Sequence, residues 1–251
     1  MTSIRSLPMQ GVGARRRLGA VLAATLLTSL VVGIAGPTPA LGQSSEPSCG
    51  ADVALVVDSS GSVDPTELGL MQDAFTGFVD AFLPATPTQM AVVEFDRKAT
   101  VLQDFTGDAV ALGAAIDAFE SGKRTNWQDG LLKARNLFPH RDAPDLIVFA
   151  SDGRPNKVNG SNEFNRPAAL AAAIVEADAA KAAGARIIAI GIGDGLKVNK
   201  LEAIASSPAD VHTTDFDSLA QTLADLAGEL CSEPGASCGA DVALVVDSSG
   251  S

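Results

Sequence analysis

The sequence is poor in the side chains that carry most enzyme chemistry and most transition-metal sites. Its 251 residues include no tyrosine, one tryptophan, two histidines and three cysteines. The histidines, His140 and His212, have no ligand or catalytic spacing around them. No Gly-x-Ser-x-Gly turn is present to expose a nucleophilic serine. These absences argue against serine hydrolysis and against metals that prefer nitrogen or sulfur ligands.

Basic residues are also scarce. The chain has 18 Lys and Arg against 30 Asp and Glu, a formal net charge of −12. Residues 1–42 hold four of the arginines and no acid, so the remainder keeps 14 basic and 30 acidic residues, a net charge of −16. Because this charge would repel phosphates, we expect no nucleic-acid partner. A cation or a basic protein surface suits the charge, or the acidity simply keeps a secreted protein in solution.

The N-terminus has the pattern of an export signal. Three arginines, 15–17, precede the uncharged apolar run Leu18 to Gly36, and small residues at 40–42 suit signal peptidase. We therefore predict a signal peptide over 1–42, a short leader over 43–48, a secreted or extracytoplasmic location and no membrane contact after cleavage. An uncleaved anchor is the alternative, because the run approaches bilayer-spanning length. The paired arginines weakly suggest twin-arginine export.

A segment of the sequence occurs twice without change. SCGADVALVVDSSGS spans Ser48–Ser62 and again Ser237–Ser251. The offset is one domain length rather than a short solenoid period. We predict one domain over 49–231, a linker over 232–237 and a truncated first strand of a second repeat over 238–251. This second copy matches the first three candidate ligands only, so we expect it to bind no metal.

Between the two copies, the pattern alternates between buried strands and helices. The apolar run Asp52 to Val57 is typical of a strand covered on both faces, and Asp64-Pro65 is a helix start that continues to about Phe82. Such alternation predicts an α/β fold: a doubly wound, mostly parallel central sheet with helices on both faces. The remaining predicted elements are strands 89–95, 99–105, 146–150, 186–192 and 211–213, helices 109–119, 127–138, 167–183 and 218–230, and a short apolar segment at 201–205.

Three polar loops follow predicted strands or precede a predicted helix. Asp58-Ser59-Ser60-Gly61-Ser62 follows the first strand, Gly122 to Asn126 precedes a helix, and Ser151-Asp152-Gly153 follows the strand 146–150. In doubly wound sheets, function gathers at the carboxyl ends of the central strands. The loops offer carboxylates and hydroxyls, which are hard ligands suited to Mg²⁺ or Mn²⁺. Because hydroxyls are neutral, the ion would retain affinity for one more anionic oxygen, such as a partner's carboxylate.

These residues carry a family resemblance. Asp58-x-Ser60-x-Ser62, Thr125 and Asp152 resemble the metal-ion-dependent adhesion site of von Willebrand factor type A domains. The resemblance runs from about Cys49 to Cys231. It implies that Asp58 anchors the ion partly through water, that the three hydroxyls coordinate it, and that Asp152 acts directly or through water. It also implies a protein-binding domain for adhesion or assembly.

The cysteines flank the predicted domain. Cys49 stands just before the first strand and Cys231 just after the last helix. A disulfide between them would clamp the domain ends, as an oxidising compartment permits. Cys238 would then be unpaired within the domain. Three buried free thiols are the alternative.

We therefore expect a secreted, non-enzymatic domain that binds a protein carboxylate through Mg²⁺ or Mn²⁺. The chain should be a monomer by default, with a strand-swapped oligomer as the alternative because the two copies are identical. A structural unit of a tandem array is a second hypothesis. A haloacid-dehalogenase-like phosphatase is a third, but its nucleophile is followed two residues later by an acid, and this chain has Ser60 there.

Overall fold

The computed structural model describes residues 50–83 and 86–232, with only the backbone described for Cys231 and Ser232. The predicted signal peptide, leader, second repeat and most of the linker lie outside the described residues. So does the predicted disulfide, because Cys49 and the side chain of Cys231 are not among them. No helix in the described ranges is long and apolar enough to cross a membrane.

Six strands form one sheet in the order β3-β2-β1-β4-β5-β6. All neighbours are parallel except β2 and β3, which run antiparallel with irregular register. The predicted fold class is confirmed. The strands are β1 (Asp52–Asp58), β2 (Gln89–Phe95), β3 (Ala99–Thr106), β4 (Asp145–Ser151), β5 (Arg186–Ile192) and β6 (Val211–Thr214).

Helices cover both faces of the sheet, and β1 shows why. Its side chains alternate, so Val53, Leu55 and Val57 belong to one core cluster and Ala54 and Val56 to the other. The first cluster is completed by α1, α2 and α6, the second by α3, α4 and α5. The helices are α1 (Pro65–Phe82), α2 (Ala109–Asp117), α3 (Trp127–Arg135), α4 (Arg166–Ala182), α5 (Val198–Glu202) and α6 (Leu219–Ser232).

Predicted and observed boundaries differ mainly at helix ends. Helix α2 stops at Asp117, before the predicted end at 119, because the next two N–H groups bond three residues back and tighten the chain into a turn. The predicted segment 201–205 straddles the end of α5 and the turn after it. Its buried members Leu201, Ile204 and Ala205 gave the apolar signal, whereas the first turn of α5 is mostly exposed and gave none.

Helix α1 begins immediately after the first polar loop, and its start is tightly fixed. The Asp64 side chain accepts hydrogen bonds from the N–H groups of Thr66 (2.7 Å) and Glu67 (3.0 Å). In return, the Glu67 carboxylate accepts one from the Asp64 N–H (2.8 Å). With Pro65 in the first turn, this capping box sets where the loop 58–62 ends.

Candidate metal site

The sheet brings the predicted ligands to one edge. Strands β1 and β4 are parallel neighbours, with Val57 paired to Ala150. Asp58 therefore ends β1 beside Ser151, which ends β4, and Asp152 follows directly. Thr125 comes from the loop before α3. All five predicted ligands thus lie at the carboxyl ends of the two central strands.

Three hydroxyls form a compact group. The Thr125 hydroxyl donates to Ser60 Oγ at 3.1 Å, and the Oγ atoms of Ser60 and Ser62 are 3.3 Å apart. Adjacent corners of an octahedron with metal–oxygen bonds of 2.0–2.1 Å are about 3 Å apart. The spacing of these oxygens therefore fits neighbouring corners of a Mg²⁺ or Mn²⁺ coordination shell.

Asp58 is fully buried and held from two sides. Its Oδ1 accepts the Ser60 N–H at 2.9 Å, and its Oδ2 accepts the Ser151 hydroxyl. Burial, and then repulsion from the Asp152 carboxylate, raise the pKa of Asp58 from 3.8 to about 8, against the opposing effect of the hydrogen bonds. A cation in this position would stabilise the ionised form of Asp58.

Asp152 supplies an oxygen with nothing to bind. Its side chain is 8% exposed, and its Oδ1 is one of two buried side-chain polar atoms without a hydrogen-bond partner among the described residues; the other is Ser59 Oγ. Burial raises the pKa of this carboxyl, and the charge of Glu67 adds to the shift. A hydrogen bond with the Ser62 side chain opposes this rise in pKa. A buried carboxylate oxygen without a partner is costly, and a divalent ion beside the hydroxyl group would offset that cost.

The donor set decides which ions suit the site. Within residues 50–83 and 86–232, no group of three or more His, Cys, Asp or Glu could hold a metal. A site here must therefore combine the two carboxylates with the hydroxyls. Such an all-oxygen set fits hard divalent ions. The residues present fit the metal that the sequence predicts, with water and a ligand left to complete the shell.

Behind the predicted ligands lies a chain of hydrogen bonds that the sequence did not indicate. It runs from Trp127 through Ser151 to Asp58, and we call it the relay. Trp127 is fully buried, with its ring edge-on to Phe149 at 5.2 Å. Its Nε1–H donates to Ser151 Oγ at 3.1 Å, which leaves the Ser151 proton to reach Asp58. Trp127 therefore has a packing role together with this polar one. Partners so distant in sequence leave no local signal.

Asn156 is a second residue that the sequence did not indicate. Its Oδ1 accepts the Thr125 N–H and its Nδ2 donates to Thr125 Oγ1, both at 3.3 Å. Its own N–H donates to the Thr125 carbonyl at 3.0 Å. Three bonds to one residue fix both the backbone and the hydroxyl of Thr125, so Asn156 orients a ligand without being one.

Two glycines let the first and second loops approach closely. The Gly122 N–H donates to the Ser59 carbonyl at 2.7 Å. A Cβ on Gly61 would lie 2.7 Å from the Gly122 carbonyl oxygen, and one on Gly122 would lie 2.2 Å from Asp96 Cβ. Neither position has room for a side chain. A side chain at Gly61 would push the first two loops apart, and one at Gly122 would push the second loop away from Asp96.

The ligands open into a surface cavity of about 690 Å³. Its walls include the candidate ligands Ser60, Ser62, Thr125 and Asp152. They also include three cations, Lys123, Arg154 and Arg166. The rim is therefore basic, although the chain as a whole is acidic.

Comparisons with known proteins identify related sequences and structures. The sequence model of the von Willebrand factor type A domain matches residues 52–229. A UPF0353 protein of Mycolicibacterium paratuberculosis is 31% identical over 192 residues, 71% of this chain and 54% of that protein. Human matrilin-4 is 29% identical over 203 residues, 76% of this chain and 31% of matrilin-4. The chain thus spans about half or less of these curated relatives.

A solved relative bears directly on the site. Proximal thread matrix protein 1 from the mussel byssus, whose structure has a zinc-occupied adhesion-site motif, is 30% identical with a TM-score of 0.62. The match covers 74% of this chain and 47% of that chain. Neither matrilin-4 nor the byssus protein is named as an enzyme.

Proposed function

We propose that this chain, which belongs to the von Willebrand factor type A domain family, is a secreted adhesion or assembly domain. It would bind a protein partner through a divalent cation. Asp58, Ser60, Ser62, Thr125 and Asp152 would hold Mg²⁺ or Mn²⁺. The observation that carries the proposal is the buried, unpartnered Oδ1 of Asp152 beside three hydroxyls spaced like coordination corners. The mussel byssus relative, whose structure has zinc in its adhesion-site motif, supports the proposal.

The ion would act as the contact point for the partner. Mg²⁺ takes about six oxygens, and the neutral hydroxyls leave it with affinity for a further anionic oxygen. The cavity in front of the ligands gives an Asp or Glu of a partner access to that position. The protein's own residues hold the ion, and the surrounding cations attract the incoming carboxylate.

Calorimetry with MgCl₂ and MnCl₂ tests the metal site. We expect binding by the wild-type chain and none measurable for Asp58→Ala or Asp152→Ala, because each loses a carboxylate. Asp73→Ala removes an exposed carboxylate on α1 and should bind like wild type. Equal binding by wild type and Asp58→Ala would refute the assignment.

Capture of partners from an extracellular extract tests the mechanism. Proteins retained by the immobilised chain in Mg²⁺ should be released by EDTA. They should not be retained by Thr125→Ala, which keeps both carboxylates but loses one hydroxyl. A partner that resists chelation and is indifferent to Thr125→Ala would show that recognition does not pass through the ion.

A further inference from the structure

A second cavity lies beside the metal site. It has a volume of about 430 Å³, within the range of small-ligand pockets. Its apolar wall comes mainly from the first half of α4, and its rim carries three cations. We call it the basic groove and define it by six residues: Leu170, Ala171, Ile174, Arg154, Arg166 and Lys200.

The basic groove and the metal cavity meet. Arg154 and Arg166 line both of them. A chain that places a carboxylate at the metal can therefore continue past these two side chains onto α4. The two cavities together form one surface with a metal at one end and apolar side chains at the other.

The cations of this surface are not neutralised by neighbouring acids. The ion pairs found between described residues use Arg135, Arg141, Lys181 and Arg186, and none uses a cation of the groove. Arg166 instead lies over the exposed ring of Phe164, with its guanidinium 4.9 Å from the ring centroid. Stacking of this kind orients a guanidinium without cancelling its charge.

We propose that the basic groove binds an acidic segment of the partner that carries an apolar side chain close to its metal-binding carboxylate. The apolar side chain would pack against Leu170 and Ile174, and further carboxylates would pair with Arg154, Arg166 and Lys200. The proposal rests on the function proposed above and specifies its partner. Local positive charge on a chain of net charge −12 selects acidic partners and repels basic ones.

The first experiment uses a random dodecapeptide display library and the full chain in Mg²⁺. Peptides eluted by EDTA should have net negative charge and an apolar residue within a few positions of an Asp or Glu. EDTA-eluted peptides that are basic, or that lack an apolar residue near the acid, would overturn the groove proposal and leave the metal mechanism standing. Mg²⁺ binding without any eluted acidic peptide would overturn it as well.

The second experiment measures the affinity of the strongest eluted peptide for groove variants. Ala171→Glu fills the groove on an exposed helical position, and Lys200→Glu reverses a charge that lies in the groove but not in the metal cavity. Each substitution should weaken peptide binding by about tenfold or more, and the affinity for Mg²⁺ should stay unchanged. Ala182→Glu and Lys133→Glu make the same residue changes at exposed positions outside both cavities, and these variants should bind the peptide like wild type.

These outcomes separate the two proposals. Wild-type affinity in both groove variants, with EDTA still releasing the peptide, would show that the groove takes no part. Failure of Mg²⁺ to bind, or peptides that EDTA does not release, would instead contradict the metal-dependent function itself. Thermal unfolding of each variant identifies any loss of binding that comes from misfolding.

Discussion

At the scale of single residues, buried groups behind the predicted ligands hold one of them in place. Trp127, Ser151 and Asp58 form a chain of hydrogen bonds that ends at a fully buried carboxylate. Groups that orient a metal ligand commonly affect affinity by ten- to a hundredfold. The relay therefore gives two positions where metal binding can be altered without touching a ligand.

Trp127→Phe should weaken Mg²⁺ binding by about tenfold, because it removes the N–H donor to Ser151 and keeps an aromatic ring against Phe149. Ser151→Ala should weaken it at least as much. The double variant should be no weaker than Ser151→Ala alone, since both changes break the same relay. Calorimetry of the four proteins measures this cycle, and additive losses would mean that the tryptophan acts through packing.

The carboxylate pair makes the stability of the metal-free protein depend on pH. The pKa of Asp58 is about 8 in the folded chain against an ordinary 3.8, so folding favours its protonated form. In EDTA, the stability of wild type relative to Asp58→Asn should therefore fall as pH rises from about 4 to about 8. Saturating Mg²⁺ should remove this fall in stability, because a bound ion would stabilise the ionised form of Asp58 in the folded state.

Denaturant unfolding of both proteins across that range provides the measurement. The comparison with Asp58→Asn removes the titration of Asp58 together with its effect on Asp152, and the remaining carboxylates titrate in both proteins. A difference in stability that stays constant from pH 4 to pH 8 would mean that Asp58 ionises normally in the folded state.

At the scale of elements, helix starts fix the loops that carry the site. Asp64 caps α1 directly after the loop 58–62, and Asp108 caps α2 away from it, with bonds to the N–H groups of Val110 and Ala111. Both caps are exposed and chemically alike. They form a matched pair in which only one adjoins a predicted ligand.

Asp64→Ala and Asp108→Ala should each lower the free energy of unfolding by about 1 kcal/mol. Only Asp64→Ala should also weaken Mg²⁺ binding, because it frees the chain two residues after Ser62. Denaturant unfolding and calorimetry measure the two effects. Equal Mg²⁺ affinities in the two variants would show that the loop is fixed by its own contacts instead.

At the scale of the whole molecule, the second copy of the repeated segment has no role in the described fold. Strand β1 already occupies the centre of the sheet, paired on both sides and buried on both faces. A second copy of the same sequence could take this central place only by displacing it. The described residues also supply every predicted ligand, from Asp58 to Asp152.

Deletion of residues 234–251 should therefore leave Mg²⁺ binding and the thermal midpoint unchanged, and should reduce aggregation because it removes an apolar strand sequence. Light scattering, calorimetry and thermal unfolding check the three expectations. A lower midpoint, or loss of a defined oligomer, would support strand exchange between chains and the structural-array hypothesis.

The predicted Cys49–Cys231 disulfide also belongs to this scale. It would close a loop that contains the whole domain, and reduction should lower the free energy of unfolding by about 3–5 kcal/mol. Non-reducing peptide mapping should find the bridge and leave Cys238 outside it. A Cys49–Cys238 bridge would contradict the prediction.

The sequence by itself determined the order of the strands and of the longer helices along the chain, and it placed the candidate ligands at their ends. Those signals are local: continuous apolar runs for buried strands such as β1, an Asp-Pro start for α1, and hydroxyls and carboxylates directly after strands. Each depends on residues a few positions apart, so the printed sequence contains it. Two helix boundaries differed from the prediction, because the end of α2 is set by backbone hydrogen bonds and the first turn of α5 is exposed and has no apolar pattern.

Only the tertiary structure decided what surrounds the ligands. Trp127 reaches Ser151 across 24 positions of sequence, and Ser151 reaches Asp58 across 93. The basic groove likewise gathers Arg154, Arg166 and Lys200 from three separate segments of an acidic chain. Such contacts and local charges arise where the sheet and its covering helices bring distant segments together, so no local pattern or net charge could predict them.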